Sequence, residues 1–189
     1  MKTAIIIHGK PSKEGYYNPK GSSESNSHWL PWLQHELVLC DILAQTPEMP
    51  RPYEPVYEQW KEMFERFSPD QNTMGVGHSC GGGFLVRWLS ENPQARLNKV
   101  ALVAPSLGLD WDHKSFYDFE IDPNIAARTK GITLFYSDDD REAIIQAAQI
   151  LSQKIQGIKV LQLHGLGHFT YEDMKGKTEF PELLQALVA

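Results

Sequence analysis

Gly77-His78-Ser79-Cys80-Gly81 stands where a short apolar run ends and an amphipathic run begins. The spacing is G-x-S-x-G, a pattern that carries a serine on a sharp strand-to-helix turn and pushes its hydroxyl out over a sheet edge. The chemistry it suggests is nucleophilic attack on a carbonyl carbon. Glycine at both ends suits the turn, since any larger side chain would crowd the neighbouring backbone. The helix that follows would aim free amides, Cys80's among them, at the oxygen of the attacked group. The motif alone is short enough to arise in a glycine-rich turn with no chemistry, so its context matters.

A serine needs a base to take its proton and a third group to hold that base. In an open parallel sheet the site lies at the carboxyl ends of the strands, so partners should follow strands. Asp138-Asp139-Asp140 follows Ile132-Thr133-Leu134-Phe135-Tyr136, and on placement any one of the three could be the acid. Aspartates there could equally cap the next helix. His168 follows a later strand in Leu163-His164-Gly165-Leu166-Gly167-His168, where the glycines let it swing over the sheet edge. Those glycines also make a helical metal-binding pair of His164 and His168 improbable. His164 closes the strand and reads as structural, His8 and His78 as walls of the site, and His28, His35 and His113 as ordinary packing or surface residues. No further ligands at regular spacing support a metal site, and the chemistry requires no cofactor. The order Ser, Asp, His is that of α/β-hydrolases.

The elements that must position these residues follow from hydrophobic pattern. Apolar strand-like runs alternate with helical ones, which predicts a parallel sheet covered on both faces. Strands are expected at 3–8, 40–45, 72–77, 98–104, 131–137 and 158–164. Helices are expected near 28–39, 55–67, 81–91, 141–156 and 178–188. The predicted class is a three-layer α/β sandwich with a six-stranded parallel sheet. Two long connections stand out. The first, Gly9 to Ser27, is polar and holds Tyr16 and Tyr17. The second, Pro105 to about Asn124, holds Trp111, Phe116, Tyr117 and Phe119, either as a small lid or pocket wall or as a loop anchored by its aromatics. Trp111 and Tyr16 are the candidate substrate-binding residues, and they favour an apolar acyl or aryl group.

The chain has 189 residues, which predicts one domain over 1–189. Its two cysteines make no disulfide framework and suit a reducing, cytoplasmic setting. The start, Met1-Lys2-Thr3-Ala4-Ile5-Ile6-Ile7, is too short an apolar run for a signal segment and reads as the first strand. No run approaches a membrane span. The net charge of −6, with no basic stripe, argues against nucleic acid or an anionic membrane as partner. Two other chemistries fit poorly. A Cys80 phosphatase nucleophile would need His and Cys adjacent and an arginine one place nearer than Arg87. A flavodoxin-like phosphate loop would need glycines that Lys10-Pro11-Ser12-Lys13 lacks.

The chain resembles α/β-hydrolases, and in particular the small single-domain serine hydrolases related to retinoblastoma-binding protein nine. The likeness rests on Ile5-Ile6-Ile7-His8-Gly9, the helix bearing Trp29 and Trp32, the Gly77 to Gly81 elbow, Leu102-Val103-Ala104, Phe135 to Asp140 and Gly167-His168-Phe169. It implies Ser79 as nucleophile, His168 as base and Asp140 as acid. Arg141 stands where the family often has proline, which leaves Asp139 as the alternative. The backbone N–H groups of Cys80 and Lys10 would form the oxyanion hole. The implied activity is hydrolysis of a small ester, or else an amide or thioester, through an acyl-enzyme. The resemblance also admits a protein partner, with a binding module of little or no turnover as the alternative function.

Overall fold

A computed structural model describes residues 1–111 and 115–189, so the expectation for His113 lies outside the described residues. Six strands, β1 (Thr3–Ile7), β2 (Leu43–Gln45), β3 (Thr73–His78), β4 (Val100–Val103), β5 (Ile132–Ser137) and β6 (Lys159–Leu163), form one sheet. Their order is β2-β1-β3-β4-β5-β6 and every pairing is parallel. The helices are α1 (Lys13–Tyr16), α2 (Leu30–Leu39), α3 (Tyr57–Glu65), α4 (Cys80–Glu91), α5 (Glu142–Lys154) and α6 (Pro181–Val188). The fold class expected from the alternating pattern is the one observed.

Alternation along β1 decides how the layers form. Ile5 and Ile7 point to a cluster with Trp60 and Phe64 of α3, Phe84 and Leu85 of α4 and Leu151 of α5. Ala4 and Ile6 point the other way, to Leu30, Leu33 and Leu37 of α2 and Leu183 and Leu187 of α6. A strand buried on both faces is a near-continuous apolar run, as Ala4-Ile5-Ile6-Ile7 is. The chain runs β1 to β2 on one side and then crosses to β3 on the other, so the sheet has a switch point between β1 and β3. The loops after those strands diverge there and leave a crevice.

Several boundaries are shorter than the pattern predicts, each for a local reason. Pro181 starts α6 because a proline is tolerated only in a helix's first turn, which excludes residues 178–180. Asp41 has φ 58°, so the chain is still turning where a strand from residue 40 was expected. The polar connection after β1 contains α1, opened by the Ser12 hydroxyl accepting from the Gly15 N–H. Four residues are too few to show apolar periodicity. The same holds for the 3₁₀ turns Glu24–Asn26, Ser115–Tyr117 and Ile125–Arg128. Among the described residues, no helix is long and apolar enough to cross a membrane.

Candidate active site

Ser79 sits between β3 and α4 with φ 52° and ψ −114°, a region that costs a non-glycine residue about 1–3 kcal/mol. The strain is held by hydrogen bonds on both sides: the Ser79 N–H donates to the Val103 carbonyl, and the Ser79 carbonyl accepts from Ser106, Gly82 and Gly83 N–H groups. The elbow's glycines are required by close approach. A Cβ on Gly77 would lie 2.5 Å from the Gly81 and Gly82 backbone, and one on Gly81 would lie 2.4 Å from the Ile7 carbonyl oxygen. Because only backbone could yield, Gly81→Ala is expected to cost at least about 3 kcal/mol. Thermal unfolding followed by circular dichroism should fall by roughly 6–12 °C; an unchanged midpoint would contradict this packing.

The sequence candidates from three strand ends meet here. The Ser79 Oγ lies 2.9 Å from His168 Nε2, and His168 Nδ1 lies 2.8 Å from Asp140 Oδ2. The Asp140 side chain is 1% exposed and that of His168 18%, so the line is shut off from solvent at the carboxylate and partly open at the imidazole. Asp140 Oδ1 accepts from the Arg141 N–H at 2.6 Å, which fixes the carboxylate plane. Asp139 is turned elsewhere. Its Oδ1 accepts from the Ser137 hydroxyl at 2.5 Å and the Gly167 N–H at 2.9 Å, and these bonds hold its carboxyl below the usual range. Asp138 pairs with His164 at 2.5 Å and accepts from the Gly165 N–H at 3.3 Å, with the same downward effect on its carboxyl. Together with the Ser137 hydroxyl, which accepts from the Leu166 N–H at 3.0 Å, the run after β5 clasps the glycine loop after β6 residue by residue.

His78 is the residue whose part the sequence did not disclose. Expected as a wall, it is buried, and its Nε2–H donates to the His168 carbonyl at 2.8 Å. Asp173 accepts from the His168 N–H at 2.9 Å. The two peptide groups flanking the His168 side chain are thus both gripped. Gly167, at φ +48°, lies so close to Asp173 that a Cβ would meet its carboxyl at 2.6 Å. His8, also expected as a wall, is buried: its Nδ1–H donates to the Gly9 carbonyl at 2.7 Å while Nε2 accepts from the Met49 N–H at 2.8 Å. His28 is half-buried and accepts from the Tyr171 N–H, His35 is exposed beside Glu36, and His164 is exposed. A histidine inside the elbow, next to the serine, was the available signal for His78, but its partner is remote in sequence.

Burial pushes the imidazoles of His78 and His8 below their ordinary range. Both hydrogen-bond patterns need one ring nitrogen unprotonated or facing no acceptor, so neutrality is built in. On unfolding, each ring regains ordinary proton affinity, and the unfolded state then binds more protons than the folded one below about pH 6.5. Stability is therefore fully present above that pH and is lost as pH falls through it, by about 1.4 kcal/mol per pH unit for each ring that stays neutral. Denaturant melts between pH 7.5 and 5.5 should show this slope, and His78→Gln should make it shallower; a flat profile in the parent protein would refute it.

Cys80 opens α4, so its N–H has no acceptor within the helix. Gly9 packs against Ser79, with 3.2 Å from a Cβ built there to the serine Cβ, and it delivers Lys10 to the same edge. Burial pushes the Cys80 thiol up to about 12, and Arg87 is engaged by Glu91 and the Ser115 and Phe116 carbonyls. A cysteine nucleophile with an arginine partner is therefore not assembled. Among the described residues, no group of three or more histidine, cysteine or carboxylate side chains could hold a metal ion.

A cleft of about 520 Å³ is lined by Lys10, Tyr53, Glu54, Pro55, Val56, Trp111 and Ser115. Of the two candidate substrate-binding residues, Trp111 is among these lining residues. Tyr16 is not; it packs on Tyr53 with ring centroids 5.1 Å apart. Of the other aromatics in the second long connection, Phe116 is buried against Tyr57 and Trp60, so the chain is anchored to the core at that residue.

Similarity to known proteins agrees with this architecture. The chain is 28% identical to the hydrolase-described YdeN of Bacillus subtilis (strain 168), over 100% of this chain and 95% of that protein. The crystal structure of the ydeN gene product superposes with a TM-score of 0.81 at 25% identity, covering 99% of this chain and 97% of the other. Est1E from Butyrivibrio proteoclasticus shares the fold, with a TM-score of 0.65 at 14% identity, over 100% of this chain and 89% of its own. A family model described as serine hydrolase matches residues 14–189, and with nearly the whole chain inside that match the protein belongs to the serine hydrolase family.

Proposed function

We propose that the protein hydrolyses a small carboxylic ester through an acyl-enzyme, with Ser79 as nucleophile, His168 as general base and acid, and Asp140 as the group that orients the imidazole. The observation that carries this reading is the continuous line Asp140 Oδ2, His168 Nδ1, His168 Nε2, Ser79 Oγ, with contacts of 2.8 and 2.9 Å. Ser79 Oγ attacks the carbonyl carbon as its proton passes to His168 Nε2. The tetrahedral oxyanion is stabilised by the Cys80 and Lys10 N–H groups, each worth about 10²- to 10³-fold in rate. Collapse expels the alcohol, which takes the proton from His168. Water then enters by the same base and releases the acid.

The Asp140 carboxylate keeps the proton on Nδ1, so that Nε2 faces the serine as an acceptor, and it stabilises the imidazolium that forms. His78 and Asp173 hold the His168 main chain, which limits the freedom of a ring carried on a glycine loop. An amide or thioester would be cleaved by the same steps, with the leaving group changed. A protein-binding role without turnover leaves the aligned line without a purpose. Two free cysteines fit a reducing, cytoplasmic setting.

The test is a short series of 4-nitrophenyl esters, with rapid mixing at the start of the reaction. The expected result is nitrophenol release with a burst comparable to the enzyme concentration, and labelling of Ser79 by a fluorophosphonate probe. Absence of both release and labelling would overturn the proposal.

A further inference from the structure

We propose that the Lys10 ammonium group anchors an anionic group on the acyl part of the substrate, so that the preferred esters carry a carboxylate beyond an apolar spacer. This rests on the ester-hydrolase reading above and assigns a substrate class to the same site. The cleft is tied to the nucleophile from two directions. Lys10 follows Gly9, which packs on Ser79 and whose carbonyl is held by His8. Trp111 packs on Tyr117 with ring centroids 5.2 Å apart, and Tyr117 in turn lies beside Cys80, the residue after the nucleophile.

The charge in the cleft is the unexpected part. The chain carries 24 acidic against 18 basic residues, yet neither Lys10 nor Lys13 forms an ion pair among the described residues. Glu54, the acidic residue at the cleft, is held by Arg51, and Asp110 by Arg141. The Lys10 ammonium instead sits over the Trp111 ring, 5.0 Å from its centroid, and Lys13 lies 5.8 Å from the Tyr53 ring. A cation resting on an aromatic face is pre-placed without being neutralised. Its own main chain starts beside the reacting serine, so an acyl chain lying along Tyr53, Pro55 and Val56 would have its far end read by that ammonium. A carboxylate is the group that gains from such a partner.

Two ester pairs of equal chain length and leaving group test this: mono-4-nitrophenyl adipate against 4-nitrophenyl hexanoate, and the suberate against the octanoate. The quantity read is the ratio of kcat/KM for the acidic ester to that for the neutral one, in which intrinsic reactivity cancels between variants. Lys10→Met should lower that ratio about tenfold, the scale of a lost charge-assisted hydrogen bond. Lys10→Arg should largely keep it, and about 0.5 M salt should erode it in the unaltered protein. Equal loss on both esters in Lys10→Met would overturn the inference and assign the cation to the oxyanion or the fold. A ratio in the unaltered protein that salt does not move would overturn it without any variant. Turnover of the neutral esters that depends on Ser79, with no effect of Lys10 on the ratio, would sink this inference alone. No Ser79-dependent release from any ester would remove the hydrolase reading and this one with it.

Discussion

Ser79→Ala is expected to lower kcat for a 4-nitrophenyl ester by on the order of 10⁶-fold, the loss seen when a nucleophile is removed from a working triad. The remaining rate should still exceed that of water, by about 10³- to 10⁴-fold, because the amides of Cys80 and Lys10 and the cleft would still bind and polarise the ester. Fluorophosphonate labelling should vanish. The variant should fold, since the Ser79 hydroxyl makes one contact, to His168 Nε2, and the elbow is held by main-chain bonds that alanine retains. Alanine at φ 52° bears the same backbone strain as serine, so the melting temperature should stay near that of the parent. Retained turnover or labelling would move the nucleophile elsewhere. A large loss of stability would mean that the hydroxyl serves the fold.

What could be read in advance depended on how far the deciding contacts reach along the chain. The sheet was legible because its central strands write their burial into their own residues: Ala4 to Ile7 and Thr73 to His78 are buried throughout, and such runs need no knowledge of their neighbours. The elbow was legible in part for the same reason, since Gly77 answers to the Gly81 and Gly82 backbone within the turn, although Gly81 answers to Ile7 and His8 on the neighbouring strand. His168 could be placed at the sheet edge because it follows β6, and strand ends converge in a parallel sheet.

The remainder depended on contacts between loops that local pattern does not record. His78 differs from a wall residue only by its bond to the His168 carbonyl, 90 positions on. Asp173 looks like any loop aspartate until it meets the His168 N–H. Tyr53 bears no local mark of a cleft residue because its proline-rich surroundings carry no periodicity, although its ring packs on that of Tyr16. The choice among Asp138, Asp139 and Asp140 is the sharpest case. Three consecutive carboxylates share one composition and one place after β5, and only the direction each takes distinguishes them.

That distinction predicts a graded result. Asp140→Asn should lower kcat by about 10⁴-fold with little change in KM, because an amide facing Nδ1 favours the wrong tautomer of His168 and leaves no anion beside the imidazolium. Asp139→Asn keeps a carbonyl oxygen able to accept from the Gly167 N–H and the Ser137 hydroxyl, the two bonds its Oδ1 makes now, so its loss should stay within about tenfold. Asp138→Asn gives up an exposed partner of His164 and should be nearly silent in kcat. Steady-state kinetics on the three variants with one ester gives the ranking directly. If Asp139→Asn proves the most damaging, the acid is the neighbouring carboxylate and the loop after β6 must be held differently during turnover. If all three are equally mild, no carboxylate of this run orients His168, and the proton line ends at the imidazole.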